Sequence, residues 1–339
     1  MIARQMLRAA VAFALLGSLA ARADDVASFY GGRSITVVIG YSVGGGYDLY
    51  ARLLARHMGD HIPGHPQMVP QNLPGAGSAK AANYLYSVAK PDGLTIGTFG
   101  RGMGVEPMMS SAVDYDGRKF TWLGSITKDV SLCVASAASP IKSWADIFAH
   151  DYVVGGEGAG SDPDIFAHLI KNVFGAKIKL VTGFPGTADT VLAMERGEVD
   201  GLCGISYSTV KSRHADWRSQ NKAVILVQAA LAKEKDLPDV PMLLDFAKTP
   251  EQAQILKLVL ASQEMARPFV APPAIPEDRK TALRKAFVET MSDPDFLDEA
   301  KKLDLDVNPV DGAAIDTLLA ELYATPKDVA AKAAKVVNE

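Results

Sequence analysis

An α/β protein of two lobes is what this 339-residue chain predicts, on three observations. Strand-like and helix-like segments alternate from Ser34 to Thr98, a second alternating series runs from Thr121 to Gln228, and charged amphipathic segments near 275–303 have no sheet of their own. Alternation gives a parallel sheet covered by helices. Helices without a sheet return to cover one already made. One lobe is therefore split in sequence, with 24–124 and 263–339 forming lobe 1 around a lobe 2 of 125–262.

Residues 1–23 come first and stand apart. Arg4 and Arg8 precede an apolar run from Ala9 to Ala20, and Ala21-Arg22-Ala23 has the A-x-A form of a cleavage site. This reads as a secretory signal peptide, the run being shorter than the ~20 apolar residues that span a bilayer. The mature chain is expected in the periplasm.

The first unit then reads strand Ser34–Ile39, helix Asp48–Met58, strand Gln67–Gln71, helix Ser78–Val88, a Pro91-Asp92-Gly93 turn and strand Leu94–Thr98. The second reads strands Trp122–Ile126 and Leu132–Ala135, a helix with Ser143 and Asp146 as its capping box, and strand Tyr152–Gly155. A helix opened by Asp162-Pro163, strand Ile178–Thr182, helix Thr187–Arg196 stopped by Gly197, and strands Val199–Leu202 and Ala223–Gln228 follow. Beyond Gln228 the chain reads as loop-rich with Pro238, Pro241 and Pro250, then as an apolar Pro-rich stretch from Gln263, then as helices Ile275–Met291 and Pro294–Leu303. In open α/β sheets ligands bind beyond the carboxyl ends of strands. Those ends carry Tyr41–Gly46, Phe99–Gly102, Gly156–Asp162, Phe184–Gly186 and Gly204–Ser206.

Composition narrows the partners. Formal net charge is −4, or −7 once Arg4, Arg8 and Arg22 are removed, so nucleic acid is not expected. No later segment is apolar enough for a membrane span, and no cofactor is expected. Cys133 and Cys203 lie in apolar strand-like runs, which fits either a disulfide between neighbouring strands or two buried thiols.

The junction Ile35–Asp48 is the strongest local signal. A β-branched run ends in Gly44-Gly45-Gly46 and opens into a helix near Tyr47. Glycines let the backbone approach a ligand, and the helix start offers unpaired N–H groups and the positive dipole end, so the junction suits an anion. Gly40-Tyr41-Ser42-Val43-Gly44 also matches the G-x-S-x-G elbow of serine hydrolases. It lies on the first strand with no histidine after His214, so Ser42 is read as a ligand or turn hydroxyl, with a hydrolase as the rival.

Neither Gly44–Gly46 nor Gly156–Gly158 completes G-x-G-x-x-G, and no G-K-[S/T] loop exists. His57, His61 and His65 recur every four residues, but Gly59, Pro63 and Gly64 break the helix that would align them, so a solvated helix end is expected and no metal. Arg101 follows a strand directly and offers a fork for a carboxylate or for an inter-lobe ion pair. Glu157 could pair with Arg101 as a latch, select a ligand ammonium or hydroxyl, or remain a solvated loop residue.

Three segments together resemble the Bug-type receptors of tripartite tricarboxylate transporters. They are Gly44–Arg52 (GGGYDLYAR), Val69–Gly77 (VPQNLPGAG) and Pro91–Thr95 (PDGLT), with later similar stretches at Gly183–Asp189, Gly197–Asp200, Leu237–Pro241 and Phe269–Pro273. The resemblance implies a Venus-flytrap of the type II periplasmic-binding-protein kind. Such a receptor captures a small organic acid, without catalysis, and hands it to a membrane permease. A binding protein that signals to a membrane sensor is the nearest rival.

Carried onto this chain, the resemblance places one carboxylate between the first-lobe loops Tyr41, Ser42, Val43, Gly44, Gly45, Gly46, Tyr47 and Phe99, Gly100, Arg101, Gly102. The closing loops are Glu157, Gly158, Gly160, Ser161, Asp162, then Phe184, Pro185, Gly186, then Ile205 and Ser206. Tyr47, Arg101 and Glu157 replace the small or hydroxyl residues usual in relatives, and Phe184-Pro185-Gly186 replaces a Tyr-Lys-Gly-like turn. Arg101 is expected to take a second anionic group, and the receptor to act as a monomer.

Overall fold

The computed structural model describes residues 25–110 and 113–338. The signal peptide expected over residues 1–23 lies outside the described residues. Two mixed sheets, each covered by helices, form the two lobes.

The first sheet has the order β11-β4-β10-β3-β1-β2. Its strands are β1 (Ser34–Ile39), β2 (Gln67–Asn72), β3 (Thr95–Thr98), β4 (Thr121–Ser125), β10 (Pro268–Ala271) and β11 (Val310–Asp311). β1 runs parallel to β2 and β3, whereas β10 is antiparallel to β3 and β4. Strands buried on both faces read as continuous apolar runs, and β1 shows why. Ile35, Val37 and Ile39 pack with Leu53, Leu54 and Phe287, while Val38 faces Leu85, Phe99 and Trp122 on the other side. The covering helices are Gly46–His61, Ala79–Ser87, Glu277–Thr290 and Pro294–Lys302.

The second sheet has the order β7-β6-β8-β5-β9. It comprises β5 (Ser131–Ser136), β6 (Tyr152–Gly155), β7 (Ile178–Val181), β8 (Gly201–Ser206) and β9 (Ala223–Ala229). β6 is parallel to β7 and β8, and β5 is antiparallel to β8 and β9. Leu132, Val134, Leu202 and Ile205 pack with Val191, Met194 and Val210 on one face. On the other, Cys133, Val154 and Cys203 pack with Ile165, Phe166 and Leu169 of the helix Asp162–Phe174. Cys133 and Cys203 are register partners across β5 and β8 and are joined as a disulfide.

Several expectations change. The apolar stretch after Gln263 contains β10, and Pro268 is tolerated as its first residue. Pro250, read as a loop breaker, opens the helix Pro250–Leu260, where Thr249 caps by accepting from the Gln252 N–H. The helix at 162 has Ser161 at its N-cap position, one residue earlier than expected, with no side-chain bond to the helix backbone. Two further helices, Gly312–Tyr323 and Lys327–Asn338, end the chain, and the last packs on Asp162–Phe174 as well as on Glu106–Met109. His57 and His61 are no solvated helix end. They meet Glu299 and Asp293 at 2.7 Å each and tie helix Gly46–His61 to helix Pro294–Lys302.

Candidate ligand-binding site

The carboxyl ends of β1 and β3 face those of β6 and β8, and the lobes touch there. Gly77 donates its N–H to the Glu157 carbonyl at 2.8 Å, and Ser42 donates its N–H to the Pro185 carbonyl at 3.2 Å. Gly77 has φ +58° and the carbonyl oxygens of Gly158 and Ala159 lie 2.6 Å from where a Cβ would stand, so this approach requires glycine.

Between the lobes lies a cavity lined by Tyr41, Gly46, Tyr47, Arg101, Glu157, Asp162, Pro163, Thr187, Gly204, Ser206, Thr209 and Arg267. It leaves about 20 Å³, room for about one water centre. Arg101, only 1% exposed, crosses from the end of β3 into the second lobe. Its Nε lies 3.0 Å from Asp162 Oδ2, its Nη1 donates to Gln263 Oε1 at 2.8 Å, and its Nη2 donates to Ser206 Oγ at 2.6 Å. Asp162 Oδ2 also accepts from Ser131 Oγ at 2.8 Å and Gln263 Nε2 at 3.1 Å. Burial works against the Arg101 charge, but Asp162 above all outweighs it and the guanidinium stays protonated.

Arg101 and Glu157 therefore do not form the latch considered from sequence. Asp162, expected as a helix cap and a ligand-binding residue of the closing loop, is the partner. Glu157 is buried and accepts from Thr187 Oγ1 at 2.8 Å. Burial, reinforced by Asp164, Asp162 and Asp189, pushes its carboxyl up to about 8, so at pH 7 it holds its proton. Because the folded-state value is raised, this contribution to stability is full below about 4.5 and is lost as pH rises through about 8. The melting temperature is expected to fall over that interval, and Glu157→Gln should flatten the fall; parallel pH profiles of the two proteins would show otherwise if Glu157 is not the group.

The glycine junction is also used differently. The Gly44 N–H donates to Asp48 Oδ2 at 2.9 Å, so it is already spent. Burial opposes the Asp48 charge, but hydrogen bonds from Arg52, Asn72 and this N–H outweigh it and hold the carboxyl below its usual range. Among the described residues, the Gly46 and Tyr47 N–H groups at the helix start have no protein acceptor. Those two remain for an anion. Tyr47 stacks on Tyr41 at 4.7 Å, and its hydroxyl accepts the Arg101 N–H at 3.0 Å.

Arg267, missed in the sequence, completes the wall. It is 1% exposed, with its guanidinium 4.8 Å from the Tyr47 ring centre and 5.2 Å from that of Tyr50. Its Nη2 reaches Ser208 at 3.0 Å, Thr209 at 3.2 Å and Asp129 at 3.4 Å. The only signal was a lone arginine before Pro268 in an apolar stretch. A Cβ on Gly46 would overlap Thr209 Oγ1 and lie 2.9 Å from Arg267 Nη2. Gly46→Ala is thus expected to hold the lobes apart and to weaken binding of a ligand between them by about 1–3 kcal/mol, the usual cost of overpacking, as read by titration calorimetry.

Other expected residues lie off the cavity. Val43 is 65% exposed, whereas Phe99 packs in the core against Phe120 and Trp122, and Ile205 joins the second-lobe core. Ser42 Oγ donates to Asp189 at 2.5 Å, with Pro185 and Gly186 beside it, which makes an inter-lobe clasp. Ser161 Oγ donates to Asp164 at 2.9 Å. Phe184 lies against Gly155. Gly100 donates its N–H to Ser78 Oγ, while Gly102 and Gly160 approach each other across the lobes, next to Gly158 against Gly77.

A two-lobed α/β protein with a buried, charged cavity between strand carboxyl ends has the architecture of a protein that binds a ligand between its lobes. Residues 50–333 match the tripartite tricarboxylate transporter family receptor, TctC, and the chain belongs to that family. The periplasmic binding protein BugD has a similar fold, with TM-score 0.72 and 19% identity over 90% of this chain and 98% of that one. MatC from Rhodopseudomonas palustris, solved with bound malate, gives 0.68 and 22% over 88% and 99%. An R. palustris protein solved with adipate gives 0.69 and 19% over 90% and 98%. A UPF0065 protein of Agrobacterium vitis is 25% identical over 62% of this chain, and one of Cupriavidus necator 41% over 26%. The chain spans 61% and 26% of those two relatives' lengths.

Proposed function

We propose that this chain is exported to the periplasm, captures a small organic carboxylate between its lobes without chemical change, and delivers it as a monomer to the permease of a tripartite tricarboxylate transporter. The observation that carries this reading is the pair of buried guanidinium groups, Arg101 and Arg267, lining one cavity beside free helix-start N–H groups. Guanidinium forks and helix N-termini both suit carboxylates. The malate and adipate bound to two R. palustris relatives are carboxylates as well.

In this reading lobe 1 is 24–124 with 263–339 and lobe 2 is 125–262, a division supported by which strands share a sheet. The loops around Tyr41–Tyr47 and Gly100–Gly102 present the ligand to Glu157, Asp162 and Ser206, and contacts to both lobes favour closure. The test is a thermal-shift screen of the purified mature protein against mono-, di- and tricarboxylates, aromatic acids and amino acids, with mass spectrometry of what co-purifies. A saturable rise in melting temperature with one acid class is expected. No acid-dependent rise and no co-purified acid would overturn the reading.

A further inference from the structure

Two polar atoms of the cavity walls have no partner in the protein among the described residues, and they differ in sign. Arg267 Nε is buried with no acceptor. Asp162 Oδ2 accepts two hydrogen bonds and pairs with the Arg101 guanidinium, yet Oδ1 receives no donor. Both side chains line the same space.

The charges already there point the same way. Arg101 with Asp162, and Arg267 with Asp129, form two ion pairs that cancel. Glu157 adds no charge while it keeps its proton. A dianion enclosed here would leave two negative charges uncompensated in a buried site, and burying unpaired charge is costly. A ligand that brings a cation with its carboxylate leaves the balance unchanged.

We infer that the cleft takes an amino acid, its carboxylate on the Arg267 side beside Tyr47 and its ammonium on Asp162 Oδ1. The inference rests on the carboxylate-receptor reading and narrows it. Arg267 is held on its own lobe by the rings of Tyr47 and Tyr50, and from the other lobe by the hydroxyls of Ser208 and Thr209 when the lobes are closed. Asp162 opens a helix of the other lobe. A ligand joining the two therefore joins the lobes. The space is small, so the lobes part to admit the ligand and reclose on it.

The experiment uses the purified protein and matched pairs that differ only by the amine: alanine and propionate, aspartate and succinate, glutamate and glutarate, together with the remaining amino acids in a first thermal-shift pass. At least one amino acid should bind about tenfold or more tightly than its deaminated counterpart. Asp162→Asn should bring that ratio close to one while the plain acid still binds; the wild-type ratio decides the matter if the variant fails to fold. A carboxylate without an amine that binds as tightly as its amino counterpart overturns this inference and leaves the receptor reading standing. Failure of every acid and amino acid, with none co-purifying, overturns both.

Discussion

Arg101→Ala should shift the lobes toward an open arrangement by about 3–5 kcal/mol, the cost of removing one partner from a buried ion pair. The cause is Asp162. With Arg101 gone, its carboxylate keeps only Ser131 and Gln263 as donors, in a site where its side chain is 10% exposed. Opening the lobes returns water to it. Of the other inter-lobe bonds, Gly77 to Glu157 and Ser42 to Pro185 and Asp189 are neutral or partly exposed, while the buried Arg267–Asp129 pair, at 3.4 Å, stays in place at the Arg267 side and opposes complete separation. Each of the former contributes about 1 kcal/mol, too little to replace the lost pair. Small-angle scattering of variant and wild type, recorded side by side, should give a larger radius of gyration for the variant. Arg101→Lys should fall between them, since lysine keeps the charge without the fork that reaches Asp162, Gln263 and Ser206 together. Identical profiles for all three would mean that the Arg267–Asp129 pair, the clasp at Ser42 and the glycine contacts at Gly77 hold the lobes without Arg101.

What could be read from sequence follows from locality. The strand–glycine–helix junction at 35–48, the strand end before Arg101 and the alternation across 34–98 are local patterns, and the structure has β1, β3 and their helices there. β10 was not legible because its place depends on pairing Val270 with Gly97, far away in the chain. Arg267 was hidden for the same reason: its partners Tyr47, Asp129 and Thr209 come from three separate segments. Asp162 was legible as a closing-loop residue, but its inter-lobe ion pair was not. A residue opening a helix with proline after it has an evident local role, and nothing local shows that its carboxylate faces an arginine from the other lobe. Gly44 was legible as a close-approach glycine, but not that its own N–H is taken by Asp48, one turn on.

The disulfide gives the second large expected effect. Cys133 and Cys203 are separated by 70 residues, and that segment carries β6, β7 and β8. Closing a loop of that length restricts the unfolded chain by about 4 kcal/mol in the chain-entropy model, so Cys133→Ala with Cys203→Ala should lower the unfolding free energy by about that amount. Chemical denaturation of the double variant against wild type measures it. Both residues are buried, at 2% and 0% exposure, so a thiol reductant should act on the wild type only as fast as the second lobe opens. The pair also lies two positions from Ser131 on β5 and three from Ser206 on β8. Ser131 on β5 and Ser206 on β8 are register partners, and they hold Asp162 and Arg101 respectively. Faster hydrogen exchange across β5–β9, with β1–β3 unchanged, is therefore expected in the double variant. If exchange quickened equally in both sheets, the bond would be supporting the whole molecule, and the second lobe could not be treated as the unit that it staples.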